Sequence, residues 1–153
     1  MSSSALTWAE VAERFGRAQN WWVATSGEGG PHAVPVWGVV VDAALRFYGE
    51  PSAVRSRNLA GDSRLVVHLE SGSSVLVLHG TASADGPAAG APGVVAAYAT
   101  KYTDPSDLPY LPDAPGMEDV LLFTVTAHRA LAWDLDGTTD LEPRRWRAAE
   151  SAD

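Results

Sequence analysis

Trp21-Trp-Val-Ala-Thr25, Gly27-Glu-Gly-Gly30 and His32-Ala-Val-Pro-Val-Trp-Gly-Val-Val-Val41 are the runs on which the fold of this chain turns. The first and third alternate or stay apolar over strand lengths, and the glycines between them accept the positive φ of a tight hairpin. Reading outward, Asp42-Ala43 is a weaker turn signal before Leu45–Tyr48, which makes His32–Val41 one long strand. Ser52 to Asp62 then reads as a short helix carrying Arg55, Arg57 and Asn58. Two further strands follow, Leu65–Leu69 and Ser74–Ala82, joined by a turn at Ser71-Gly72.

The flanks are simpler. Thr7-Trp-Ala-Glu10 has the form of a capping box, with Leu6 and Val11 as its staple pair, and predicts a helix from Trp8 to Gln19. Asp85 to Gly93 reads as a loop and Val94 to Lys101 as a short helix. Four prolines in Asp104–Met117 exclude regular structure there, and a loop of that length reads as a lid or rim. Glu118 to Trp133 is the last strand, and the tail after Asp136 is polar apart from Trp146. The expected fold is mainly β: an antiparallel, Greek-key split β-barrel of about six strands with short helices, closed because long edges need protection.

At 153 residues the length prior gives a single domain spanning 1–153, with residues 1–6 and 148–153 as loose termini. A net charge of −8 argues against a nucleic-acid binder. No apolar run approaches the ~20 residues of a membrane span, and Met1–Trp8 lacks the basic and apolar regions of a secretory leader. A cytoplasmic protein with no membrane partner is expected. Cysteine is absent, which removes disulfides, zinc-thiolate sites and thiol catalysis together. His68, His79 and His128 show no metal-ligand spacing, and neither Gly-x-Ser-x-Gly nor a Gly-rich phosphate loop occurs. No metal site is expected and no catalytic side chain can be assigned.

What remains is an apolar floor, with Pro35 and Trp37 in a strand, beside an anion-binding corner at Arg55 and Arg57. A helix start offers unpaired amides and partial positive charge, and an arginine there adds forked hydrogen bonds to a phosphate. A flavin-type cofactor needs both features.

The pattern Trp22-Val-Ala-Thr, Pro31-His32-x-Val34-Pro35-Val36-Trp37-Gly38, Leu45-x-Phe47-Tyr48 and Arg55-Ser-Arg57-Asn58-Leu59 resembles the pyridoxamine 5′-phosphate oxidase-like FMN-binding split barrels. Within them it is most similar to the actinobacterial flavin- and deazaflavin-dependent oxidoreductases, over roughly Trp8 to Arg147. The resemblance implies a homodimer with its sites at the interface, a small-molecule substrate, and hydride transfer from the deazaflavin coenzyme F-420 to a conjugated acceptor. FMN is the alternative cofactor. It also implies that the backbone of Val34, Pro35, Val36 and Trp37 runs along the ring, that Tyr48 and Gly49 lie by the side chain of the cofactor, and that Arg55 holds its phosphate. His32, Arg57, Asn58, Trp133 and Arg145 complete the implied cofactor set, with Tyr98, Tyr102 and Tyr110 as candidate proton donors. Where the oxidases carry Ser-Arg-Lys, this chain has Ala53-Val54-Arg55. That departure favours the deazaflavin over FMN, and leaves room for a non-catalytic flavin- or haem-binding protein.

Overall fold

The computed structural model describes residues 5–135 and 142–149. Helix α1 (Trp8–Arg17) is followed by strands β1 (Trp21–Gly27), β2 (Gly30–Val36), β3 (Gly38–Val41) and β4 (Ala44–Gly49). Then come α2 (Val54–Gly61), β5 (Arg64–His68), β6 (Ser74–Pro87), α3 (Pro92–Lys101), β7 (Leu121–Asp134) and β8 (Arg144–Arg147). The strands form one curled antiparallel sheet in the order β2-β1-β5-β6-β7-β4-β3, with β8 added beside β7. This is the split barrel, with eight strands among the described residues instead of about six.

One extra strand arises because the run His32–Val41 is two strands. β2 pairs with β1, β3 pairs with β4, and Trp37 is the corner between them. The corner is set by packing: a Cβ on Gly38 would lie 2.2 Å from the ring of Trp21, so the backbone turns directly beneath a fully buried indole. The other is β8, whose inward residues are Arg144 and Trp146: Arg144 meets Glu10 at 2.9 Å and Trp146 packs on Trp8 at 4.8 Å. That ion pair diverts Glu10 from the reciprocal capping box, although Thr7 Oγ1 still accepts from the Glu10 amide at 3.2 Å.

Smaller differences follow the same logic. β6 runs on to Pro87 through a register shift, so the expected loop at Asp85 begins as strand. The proline-rich segment contains a 3-10 turn, Pro105–Tyr110, capped by Asp104. Leu6, expected in a loose end, is 3 % exposed, and Ala148 N donates to His128 O at 2.9 Å.

β7 organises the molecule. Along one side it pairs with β6; along the other it pairs first with β4, through Leu121–Thr124, and then with β8, through Arg129–Ala132. Its consecutive residues Leu122 and Phe123 are both buried and serve two cores. Phe123 joins Phe15, Trp21, Val23, Phe47 and Leu78 inside the curl. Leu122 joins Val39, Tyr98, Tyr102 and Val120 beneath α3.

The β3–β4 turn carries local strain. Asp42 and Ala43 have φ of 53° and 61°, a conformation that costs an alanine about 1–2 kcal/mol. Ala43→Gly keeps the backbone acceptor for Trp8 Nε1 at 2.9 Å and is expected to stabilise the protein by about 0.5–1 kcal/mol. A rise in melting temperature of roughly 1–4 °C is the expected readout. A fall would mean the turn does not hold this geometry.

Candidate cofactor site

β4 ends at Tyr48-Gly49, the chain turns at Glu50, and α2 begins with Ala53 as its cap. Alanine supplies no capping side chain, so the first amides of α2 have no side-chain acceptor. Arg55 folds back toward the strand, its Nη2 donating to Tyr48 O at 3.3 Å. Its Nε and the Oγ of Ser56 are both buried without a hydrogen-bond partner. A Cβ on Gly49 would stand 2.9 Å from that Oγ and 3.1 Å from that Nε, so glycine is what lets the strand end pass this close to both atoms. Buried donors are normally satisfied, and two unpaired ones flanking one glycine mark a place built for an acceptor.

Burial pulls the Arg55 guanidinium below its ordinary value, opposed by Tyr48, Glu50 and Tyr98. Burial raises the Tyr48 phenol to about 12, with Arg55 pulling the other way. Tyr48 is therefore a neutral donor at physiological pH, and its hydroxyl is given to Tyr110 O. The cleft over this corner is lined by Tyr48, Glu50, Ala53, Arg55, Tyr110 and Met117, so the proline-rich segment forms its rim. Glu50 is exposed in that lining and offsets part of the charge of Arg55.

The free edge of β2 is the second element. Gly27 and Gly30 close a two-residue hairpin, and counting alternately from that pair turns the amides of His32, Val34 and Val36 toward β1. Pro31, Ala33 and Pro35 then face the open edge, where a proline costs no ladder bond. The edge thus presents three carbonyls and a single N–H, that of Ala33. Of the backbone set Val34, Pro35, Val36 and Trp37, only Pro35 contributes an edge group within the strand. Trp37 lies at the corner, its carbonyl accepting from Tyr98 Oη at 2.8 Å and its ring stacked on Tyr102 at 4.4 Å.

The remaining sequence candidates are dispersed. His32 is paired across the ladder with Thr25, and its Nδ1 is buried without a partner. Asn58 donates to Thr25 Oγ1 at 3.1 Å and fills the space a Cβ on Gly27 would take, at 1.9 Å, so it pins α2 to the hairpin. Arg57, two positions from Arg55 on α2, points to a different side and lines a cleft with Gly27, Glu28 and Gly29. Trp133 pairs with Val75, and Arg145 with Leu131. Trp133 is eleven residues along β7 from Leu122, the partner of Tyr48. At about 3.3 Å per residue no side chain spans that distance within one chain.

The tyrosines divide. Tyr98 is fully buried as a strut to Trp37 O, and burial drives its phenol well above the ordinary value. Tyr102 is 1 % exposed, donates to Gln19 O at 2.8 Å and accepts from Gly38 N at 3.0 Å. Neither faces a ligand space as a proton donor would, whereas Tyr110 is 59 % exposed at the rim. Ser56 is the functional candidate that sequence reasoning missed. Its only signal was a serine in the first turn of a helix whose cap is alanine.

No family model matches the chain, and no curated protein matches it. Solved structures do. A conserved hypothetical protein of Mycobacterium tuberculosis is 21 % identical with a TM-score of 0.70, over 93 % of this chain and 94 % of its own. A Clostridium acetobutylicum protein related to general stress protein 26, of the pyridoxinephosphate oxidase family, is 17 % identical with a TM-score of 0.62, over 92 % and 93 %. An F-420 reductase is 12 % identical with a TM-score of 0.60, over 85 % and 98 %. The chain therefore has the fold of the pyridoxamine 5′-phosphate oxidase-like split barrels.

Proposed function

We propose that the protein is a flavin- or deazaflavin-dependent reductase that works as a homodimer, with the deazaflavin coenzyme F-420 preferred over FMN. The observation that carries this reading is the pair of unpartnered buried donors, Arg55 Nε and Ser56 Oγ, around Gly49 at the uncapped start of α2. These residues fit a phosphate: one fixed cation, one hydroxyl, free amides and no side chain in the way. The fold shared with an F-420 reductase and with a protein of the pyridoxinephosphate oxidase family supports it.

The bound cofactor would supply the hydride chemistry. Arg55, Ser56 and the first amides of α2 would anchor its phosphate, and the carbonyls of Ala33 and Pro35 would accept from ring N–H groups. Tyr110 and Met117 would restrict water at the rim. Ala53 and Val54 leave FMN with fewer phosphate partners than Ser-Arg would. The additional anionic groups of the deazaflavin coenzyme reduce its dependence on that one corner. The homodimer accounts for Trp133 and Arg145, which cannot reach the corner of their own chain but could serve that of a partner. Only monomer in light scattering at micromolar concentration would remove this part of the reading.

Titration at low salt should give micromolar affinity for F-420 and weaker affinity for FMN, with F-420 binding falling as salt rises, since its added contacts are exposed and screened. Protein that purifies yellow with stoichiometric FMN and ignores F-420 would reverse the choice. One observation favours a second reading, a non-catalytic flavin- or haem-binding protein: Glu50 stands in the cleft beside Arg55. The visible spectrum of the protein with each cofactor, followed by a search for turnover, separates the two.

A further inference from the structure

Cross-strand partners share a face, and two rows of outward residues can be followed over the sheet. One runs Ala24, Val66, His79, Arg129, Arg147, and the next runs Trp22, His68, Val77, Leu131, Arg145. Arg129, Arg145 and Arg147 thus converge where β7 meets β8, around a small cleft that also touches His79 and Leu131. Arg129 and Arg147 stand directly opposite each other, a like-charge pair that destabilises a ladder. Arg145 lies two residues from Arg147 on the same face, about 7 Å away.

This arrangement is against the grain of the chain. Nineteen Asp and Glu residues give it a net charge of −8, yet no outward position of β6, β7 or β8 in this patch carries a carboxylate. Three arginines elsewhere do have carboxylate partners: Arg17 with Glu13, Arg64 with Asp62, Arg144 with Glu10. Among the described residues Arg129, Arg145 and Arg147 have no such partner. β8 is held through its inner face by Arg144 and Trp146, which frees its outer face for another use. A local rule broken without internal compensation marks a functional surface.

We propose that Arg129, Arg145 and Arg147 form a binding site for an oligophosphate chain. Three arginines whose backbone positions lie about 5–7 Å apart suit a ligand with several negative charges at similar spacing, and each guanidinium fork matches phosphate oxygens in bidentate fashion. Within one chain the site lies apart from the Arg55 corner, because Arg129 and Arg147 pair beyond the part of β7 bonded to β4. Arg145 is shared with the set proposed above for a partner's corner, so Arg129 and Arg147 carry the test.

The probe is sodium tripolyphosphate, titrated calorimetrically at low salt into the full chain. The expected result is saturable binding to the wild type, weakened about tenfold or more in Arg129→Thr and in Arg147→Thr, and unchanged in Arg17→Thr, which removes an exposed charge on α1. Without the anion, Arg129→Thr should melt at a higher temperature than wild type, because a repulsion is gone. With it, only the wild type and Arg17→Thr should gain stability. No binding to the wild type, equal binding to the Arg129 and Arg147 variants, or an equal loss in Arg17→Thr would each overturn the proposal. A wild-type oligomer that excludes tripolyphosphate and dissociates on Arg129→Thr would overturn it too, by assigning the patch to contact between copies.

Discussion

Arg55→Ala is expected to weaken binding of the flavin-type cofactor about tenfold or more, and Gly49→Ala to do the same with Arg55 intact. A charge-assisted hydrogen bond contributes about 1.5–3 kcal/mol, and 1.4 kcal/mol is a factor of ten. Arg55 holds its guanidinium in place through Tyr48 O while leaving Nε unpaired, so its alignment needs little ordering when the anion arrives. Gly49→Ala acts by volume: the added methyl meets Ser56 Oγ at 2.9 Å and Arg55 Nε at 3.1 Å and displaces the two groups that would hold the phosphate. Arg57→Ala and Arg64→Ala should change affinity less than about threefold. Arg57 faces another cleft, and Arg64 is exposed and already engaged with Asp62 at 2.7 Å. Fluorescence titration of the four variants decides the matter. Equal losses across the three arginine variants, with none in Gly49→Ala, would mean that the arginines act as a diffuse field and that no phosphate corner exists.

The aromatic and lysine struts around β3 give the protein a characteristic response to alkaline pH. Lys101 Nζ donates to Gly38 O at 2.6 Å and lies over the rings of Trp21 and Tyr102, and burial lowers it to about 8 from 10.5. The folded chain releases this proton before the unfolded chain does, so stability rises between about pH 8 and 10. Tyr48, Tyr98 and Tyr102 are shifted the opposite way, all raised by burial from 10. Above pH 10 the unfolded chain ionises them first, and stability falls. Urea midpoints should therefore pass through a maximum near pH 10. Lys101→Met should abolish the rise below it and leave the fall above it. A monotonic decline from pH 8 in the wild type would contradict the buried placement of Lys101.

How legible all this was in the sequence depended on whether the cause was local. The hairpin at Gly27–Gly30, the helix beginning near Val54 and the position of Arg55 are set by residues within a few places of one another, and each could be read directly. The break at Trp37 could not, because the ring that forces it belongs to Trp21 and the alternation continues through the corner. β8 has a period-two pattern, Arg144 and Trp146 in, Arg145 and Arg147 out, but three of its four residues are arginine and the pattern reads as tail. Tyr98 and Tyr102 looked like proton donors because their acceptors, Trp37 O and Gln19 O, lie 61 and 83 residues away. Ser56 was hidden for another reason: what distinguishes it is a missing partner, which only a packed structure reveals.

The largest effect on folding is expected at the corner the sequence concealed. Gly38→Ala would place a methyl 2.2 Å from Cε3 and Cζ3 of Trp21, well inside contact distance. The indole has nowhere to retreat: it is fully buried, its Nε1 donates to Phe15 O at 2.8 Å, and its ring meets Phe15 edge-on at 5.4 Å. The backbone cannot yield easily either, since Gly38 N donates to Tyr102 Oη and Gly38 O accepts from Lys101. Overpacking costs about 1–3 kcal/mol where some relaxation is possible, and this site should fall at or above the top of that range. Trp21→Leu, which opens a cavity, should alone cost about 3 kcal/mol or more. The decisive measurement is the double variant. If Gly38 is glycine because of the ring above it, the alanine methyl enters space the leucine no longer fills. The pair should then be more stable than the sum of the two losses predicts by about 1–2 kcal/mol. Strict additivity in urea unfolding would show that Gly38 is required for backbone conformation alone, and that the indole does not set the corner separating β2 from β3.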